Sequence, residues 1–253
     1  MKIEKVSKKY GKKPVVTDVD LPISEGKLTA FIGPNGAGKS TLLSMMSRLI
    51  EKDTGEIYLA GDEVKSWKQN DLAKKLSILK QVNAVTLKIT VRELVAFGRF
   101  PYSKGRLTKE DNRKIDEALE YLGLTDLQNE PIDSLSGGQL QRAYIAMVFA
   151  QDTDYILLDE PLNNLDMNFA VQMMQTLRRL VDDHGKTVVI VLHDINFASS
   201  YADEIVAMKN GQVYKHGPTD DVIQKEVLDS LYDMSIRVCE LEGKRFCLYF
   251  NES

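Results

Sequence analysis

Cysteine is scarce, with two in 253 residues, and two thiols are too few for a disulfide framework, so the fold must be held by its own core. Cys239 and Cys247 flank a Glu-Gly-Lys turn that would make them neighbours in a hairpin, and they are read as buried, reduced thiols in preference to a redox or metal pair. A run of eighteen or more apolar residues is also missing, and Met1-Lys2-Ile3-Glu4 lacks the apolar centre of a signal peptide. These absences predict a soluble, cytoplasmic chain whose membrane role, if it has one, comes through a partner. Nor is there a strong excess of charge: 33 Lys and Arg against 37 Asp and Glu leave a net charge of −4. No global field therefore draws the chain to nucleic acid or anionic lipid, and the run Lys8, Lys9, Lys12, Lys13 reads as a solvated edge. Internal repeats and low-complexity linkers are not evident.

What is present is enough apolar content, 43%, to bury a sizeable core, either as one large α/β domain or as two small ones. Leu28–Ile32 is a short apolar run that ends at a Gly-rich turn and leads into Thr41–Ile50, whose apolar positions suit a helix. Tyr155–Asp159 and Thr187–Leu192 are continuous apolar runs ending in polar residues, the pattern of parallel strands covered on both faces. Sites in α/β proteins form at the carboxyl ends of such strands. Between about residues 83 and 150 helical signals replace strand signals. Thr90-x-x-Glu93 and Thr108-x-x-Asp111 fit capping boxes, and Ile115, Ala118, Leu119 and Leu122 follow a helical repeat that Gly123 stops. The stretch from about 236 to 250 reads as a hairpin turned at Glu242-Gly243-Lys244.

Gly33-Pro34-Asn35-Gly36-Ala37-Gly38-Lys39-Ser40-Thr41 fits the G-x-x-x-x-G-K-[ST] pattern at a strand-to-helix junction. Its glycines let consecutive N–H groups turn inward on a phosphate, and the following helix presents its positive end. Lys39 adds a mobile charge for β and γ oxygens, the Ser40 hydroxyl suits Mg²⁺, and Thr41 can bond an α-phosphate. Nucleotide binding follows from this motif, though not the family.

Leu135-Ser136-Gly137-Gly138-Gln139 opens a helical run that reaches Ala150, with Gly138 standing 21 residues ahead of Asp159 in Tyr155-Ile-Leu-Leu-Asp159-Glu160-Pro161. Ser136 and the amides of Gly137 and Gly138 make a second anion-binding turn, more than one nucleotide needs in one chain. The sequence here resembles the ABC ATPase family, and the resemblance covers nearly the whole chain. It implies an α/β fold in a single domain spanning 1–253: a P-loop NTPase core, an inserted helical subdomain at about 83–150, an antiparallel β subdomain and a short C-terminal hairpin. It also implies ATP and Mg²⁺ as cofactors, and a head-to-tail homodimer in which the signature residues of one copy close over ATP held by the other.

Further positions match the family motifs. Asp159 is expected to hold Mg²⁺ through water, and Glu160 to polarise the attacking water. His193 matches the switch histidine that meets the γ-phosphate. Gln81 matches the Q-loop glutamine that touches Mg²⁺ and water, Asp166 in Asn164-Leu165-Asp166 the D-loop aspartate at the dimer interface, and Tyr10 an aromatic that stacks on adenine.

Thr90–Tyr102 is similar to the segment after the Q-loop in ATPases of iron-siderophore, haem and cobalamin importers, and His193–Asp203 agrees with that branch. Pro161-Leu162-Asn163-Asn164 replaces the common Pro-Thr and looks like the catecholate-siderophore sub-branch. The resemblance implies an ATPase at the cytoplasmic face of the membrane that energises uptake through permease subunits, served by an extracytoplasmic substrate-binding protein. The alternatives are haem or cobalamin as cargo, or a soluble ABC ATPase of iron–sulfur assembly, which needs no permease. Nucleic-acid-associated ABC ATPases carry coiled-coil insertions, tandem cassettes or basic extensions, none of which is seen here, so no nucleic-acid partner is expected.

Overall fold

The structure, a computed structural model, describes residues 1–80, 88–163 and 165–249. In chain order the elements are β1 (Lys2–Tyr10), β2 (Lys13–Pro22), β3 (Leu28–Ile32), α1 (Lys39–Met46), β4 (Thr54–Leu59), β5 (Asp62–Glu63), α2 (Gln69–Leu72) and β6 (Leu76–Leu79). The helices α3 (Val91–Phe97), α4 (Phe100–Ser103), α5 (Lys109–Tyr121) and α6 (Gly137–Ala150) follow. The chain then runs through β7 (Tyr155–Asp159), α7 (Met167–His184), β8 (Thr187–Val191), α8 (Ile195–Tyr201), β9 (Glu204–Lys209) and β10 (Gln212–Pro218). It finishes with α9 (Thr219–Val222), α10 (Lys225–Tyr232), β11 (Arg237–Leu241) and β12 (Lys244–Leu248).

Every residue of β3, β7 and β8 is buried, which is why these segments read as mainly apolar runs without polar alternation. They lie in a six-stranded sheet ordered β10-β9-β3-β8-β7-β6, in which only β10 runs antiparallel to its neighbour. Alternation divides their side chains between two cores. Phe31, Leu157, Val189 and Val191 face α1 and a second, antiparallel sheet ordered β2-β1-β4-β5, whose Ile3, Val6, Val19 and Ile57 close over them. Ala30, Leu158, Val188 and Ile190 face α7 through Met173, Leu177 and Leu180. In register, Phe31 pairs with Val191 and Asp159 with Val191, so the carboxyl ends of β3, β8 and β7 emerge side by side.

One helix is shorter than its sequence pattern. The apolar positions of Thr41–Ile50 predict a helix through Ile50, yet α1 stops at Met46. Ser47 Oγ turns back onto the Leu43 and Ser44 carbonyls, and Arg48 adopts φ +58° so that its guanidinium donates to the carbonyls of Val64 and Trp67. Tertiary hydrogen bonds there outcompete continued helix.

The helices α3, α5 and α6 pack together through Val91, Leu94, Ile115, Leu119, Ala143 and Ile145. Thr90, Thr108 and Ser136 each begin a helix with a reciprocal capping box. Buried Arg99 donates to Asp111 at 2.9 Å and to the Ala150 carbonyl at 2.8 Å. Such a pair is costly to break from one side. At the C-terminal end, β11 and β12 form a hairpin that sits on α8: Asn196 exchanges two hydrogen bonds with the Cys247 backbone, and Ser199 donates to the Arg245 carbonyl. Cys247 is buried and burial pushes its thiol up to about 11. Cys239 is only partly buried, because it pairs with Phe246 and so points to the other face from Cys247, which pairs with Val238. No helix among the described residues is long and apolar enough to cross a membrane.

Asp152, in the left-handed region at φ +54°, bridges Lys114 of α5 at 2.9 Å and Lys186 before β8 at 3.0 Å. Burial raises its carboxyl, but the two lysines outweigh that and hold it at about 2. A depressed carboxylate stabilises the fold above its unfolded value and loses that contribution as pH falls towards the folded value. Asp152→Asn, which keeps the left-handed turn, is expected to cost about 1 kcal/mol at pH 7 after allowance for solvent screening. The deficit should shrink as denaturant unfolding is repeated from pH 5 down to pH 2, and an unchanging deficit would show that charge is not the cause.

Candidate phosphate-binding and hydrolytic site

The strand β3 delivers Gly33 at φ +137°, where an added Cβ would meet the Met208 carbonyl at 2.1 Å. Gly38, the N-cap of α1 at φ +98°, is equally confined, with the Val15 carbonyl 2.6 Å from such a Cβ. Glycine is required at both positions by space as well as by φ. Between them Pro34, Asn35, Gly36 and Ala37 form the bend, exposed at Asn35 and Gly36, buried at Ala37, and closed by Ala37 N–H on the Pro34 carbonyl at 3.2 Å. Lys39 is buried, its Nζ donating to the carbonyls of Gly33 at 2.7 Å and Pro34 at 3.1 Å. Burial lowers its ammonium pKa, partly offset by the charges of Glu160 and Asp159. A buried cation bound only to neutral carbonyls is well suited to receive an anion.

Asp159 ends β7 and accepts from Ser40 Oγ at 2.7 Å, with Thr41 next to Ser40 in α1, half-buried. Burial raises the Asp159 carboxyl above its ordinary value; the Ser40 hydrogen bond opposes this, and the nearby Glu160 charge adds to it. Glu160 follows at φ +52°, uncommon for a residue with a Cβ, in a turn closed by Asn163 N–H on its carbonyl. Its two carboxylate oxygens are held separately: Oε1 lies 2.7 Å from His193 Nε2, and Oε2 accepts from Asn163 Nδ2 at 2.6 Å. His193 stands just beyond β8, before the N-cap Asp194 of α8. A cavity of about 230 Å³ opens beside these groups, lined in part by Glu160, Asn163, His193 and Phe197.

These residues therefore converge from β3, β7 and β8. Others do not. Leu135-Ser136-Gly137-Gly138-Gln139 lies at the start of α6, where Ser136 Oγ accepts from Gln139 N–H and Gln139 Oε1 accepts from Ser136 N–H. Gly138 carries the Phe169 ring of α7 so closely that a Cβ would meet it at 2.5 Å. Asp166 caps α7 by accepting from Phe169 N–H at 3.0 Å. Among the described residues no hydrogen bond or ion pair joins the signature turn to the phosphate loop. Tyr10 is at the β1–β2 tip, 53% exposed, with Lys8 Nζ 5.8 Å from its ring centre. Gln81 and Asn164 lie outside the described residues.

Two contacts were not anticipated from sequence. Asn163 was noted only as a departure from Pro-Thr; its place three residues after Glu160 is the signal that would have marked it, because the ends of a four-residue turn meet. Tyr232 donates no sequence signal, yet its hydroxyl accepts the Gly33 N–H at 3.1 Å.

A Gly-rich loop wrapped on a buried lysine, beside a strand-end Asp-Glu pair and a histidine from the next strand, defines a P-loop nucleotide hydrolase. More narrowly, the chain belongs to the ABC transporter family, whose model matches residues 16–163. It is 56% identical over 251 residues to the petrobactin import ATP-binding protein YclP of Bacillus subtilis, covering 99% of this chain and all of that one. It is 50% identical over 238 residues to the petrobactin import ATP-binding protein FatE of Bacillus anthracis, covering 94% and 95%. Among solved structures, the dimeric post-hydrolysis state of the ATP-binding cassette MJ0796, bound to ADP and phosphate, superposes with a TM-score of 0.75 at 32% identity. That match covers 86% of this chain and 98% of the other. The chain is thus an ATPase of the transport-coupled class.

The donors present fit a magnesium ion accompanied by nucleotide. Ser40 Oγ and Asp159 Oδ1 are adjacent hard oxygens, while no cluster of three or more His, Cys, Asp or Glu among the described residues could hold a metal unaided. Two protein oxygens completed by phosphate oxygens and water is the set that magnesium favours. Because the folded-state pKa of Asp159 is raised, its ionisation opposes folding as pH rises through that value. Asp159→Asn should therefore melt higher than wild type at pH 7 without nucleotide or magnesium, by about 2 °C or more. It should also lose the further rise that MgATP gives wild type. A lower melting temperature without ligand would refute the assignment of burial as the cost.

Proposed function

We propose that this chain energises uptake of iron–siderophore complexes as the ATP-hydrolysing subunit of an importer, peripheral to the membrane at its cytoplasmic face. The observation that carries the hydrolytic part is Glu160, fixed at the end of β7 with one oxygen on His193 and the other on Asn163. A carboxylate so aimed, next to the Ser40–Asp159 pair, is placed to take a proton from water attacking the terminal phosphate. Lys39 exchanges the Gly33 and Pro34 carbonyls for phosphate oxygens, and His193 turns from Glu160 towards the γ-phosphate. Ser40, Asp159 and Gln81 are the residues to hold magnesium. When bound, the ion neutralises charge on the transferring phosphoryl group.

Ser136, Gly137 and Gly138 form an anion-ready turn apart from the phosphate loop, which supports pairing of two copies head to tail, each completing the other's site, with Asp166 at the same seam. ATP-driven closure of that pair would move attached permease subunits as rigid bodies, and hydrolysis would reset them. Supporting a permease contact, α3 and α4 expose Phe97 and Phe100, 53% and 59%, on one side of the helical region. An extracytoplasmic binding protein would then hand the chelate to the permease. Petrobactin, named for both relatives above, is the cargo to test first.

Glu160→Gln should lower ATP turnover by about 100-fold or more and accumulate an ATP-stabilised dimer by size-exclusion chromatography. Turnover within a few-fold of wild type removes Glu160 from the role. In cells in which this chain is the sole remaining ATPase able to serve petrobactin, its removal should abolish uptake of radioactive iron–petrobactin, and the wild-type gene should restore it. Normal petrobactin uptake alongside a defect in haem or cobalamin uptake would reassign the cargo.

A further inference from the structure

The phosphate loop begins at a residue held from three directions, and one hold comes from the far end of the chain. Gly33 lacks a Cβ and sits at φ +137°, so nothing in its own stereochemistry keeps it there. On one side the Met208 carbonyl of β9 presses against it. Its own carbonyl accepts from Lys39 Nζ. Its N–H is taken by the hydroxyl of Tyr232, the last residue of α10. Finally, Lys209, adjacent to Met208, donates to Asp233 Oδ1 at 2.8 Å and to the Ser230 carbonyl, tying the strand that presses on Gly33 to the helix end that bonds it.

We propose that Tyr232 is a positioning residue for the phosphate loop, holding the Gly33 amide while Lys39 leaves the Gly33 carbonyl for a phosphate. The inference rests on the ATPase reading above. When Lys39 changes partners, Gly33 loses its carbonyl anchor; the Tyr232 hydroxyl is then the hydrogen bond that keeps the first loop peptide in place. Burial pushes the phenol well above its ordinary value, so it stays a neutral hydroxyl and acts by hydrogen bonding alone. The supports behind it are firm: Leu228 and Leu231 of α10 are fully buried, and Ile236 N–H donates to Asp229 Oδ1 at 2.6 Å.

The test is steady-state ATP hydrolysis by the full chain carrying Tyr232→Phe, which removes one oxygen and leaves the ring. Loss of a hydrogen bond to a buried amide predicts a KM for MgATP raised about tenfold with kcat within about twofold of wild type. A KM within twofold of wild type overturns the proposal, whatever the melting temperature does. Ser199→Ala is the companion variant, because it cuts a tie between α8 and the C-terminal hairpin without touching Gly33. It should keep the wild-type KM; an equal rise there would assign the effect to a loosened C-terminal region and overturn the role of the hydroxyl. Should Tyr232→Phe fail to fold, hydrogen exchange at the Gly33 amide of wild-type protein decides: protection is expected, and exchange at the rate of a free amide overturns it. A wild-type chain that hydrolyses no ATP would sink the ATPase reading, while the Gly33 exchange result would still judge the contact.

Discussion

Parallel pairing of β3, β8 and β7 is the constraint on which the site depends. Both faces of these strands are covered, one by α1 and the antiparallel sheet and the other by α7, so a charged side chain along them would cost core, and the one charged residue within them, Asp159, stands at a carboxyl end. The loop, the carboxylates and the histidine follow at the carboxyl ends, and the register puts those ends next to each other. Gly33, Asp159 and His193 are distant in sequence and adjacent in space for that reason alone. The neighbouring strands contribute as well: the Val15 carbonyl of β2, in the antiparallel sheet, closes on Gly38 and the Met208 carbonyl of β9 closes on Gly33, so the loop is shaped by the walls around it as much as by its own residues.

The charges gathered there are balanced in pairs. Lys39 rests on two carbonyls, Asp159 on Ser40, and Glu160 on His193 and Asn163. Each pairing lowers the cost of holding a charge away from water, and each uses a partner weaker than a phosphate or a divalent ion. Lys39 and Asp159 feel burial as the leading influence, in opposite directions, since burial disfavours the charged form of either. For Lys39, exchange of its carbonyls for phosphate oxygens, and for Asp159, a divalent ion in place of the Ser40 hydroxyl, are therefore favourable changes of partner.

Much of this was legible in the chain. Unbroken apolar runs ending in Asp159 and before His193 announced buried parallel strands, because strands with two covered faces cannot alternate. Spacing around Thr90 and Thr108 announced helix starts, because a capping box is a local bargain between residues three apart, and the box at Ser136 follows the same rule although only the helical run after it was read. The end of α1 was not legible, since it depends on Arg48 finding carbonyls 16 and 19 residues away. The bond from Gly33 to Tyr232 spans 199 residues and leaves no periodic trace. The unequal exposure of the two thiols was hidden too, because a turn reveals that strands pair but not which face of the hairpin meets α8.

The contact between Gly138 and Phe169 couples two turns that the chain visits separately. A ring seated where a Cβ would stand leaves no slack for the signature turn to slide over α7, and Asp166 caps that same helix one turn from the ring. The two turns are packed as one unit, so the signature turn cannot shift without carrying the start of α7 with it.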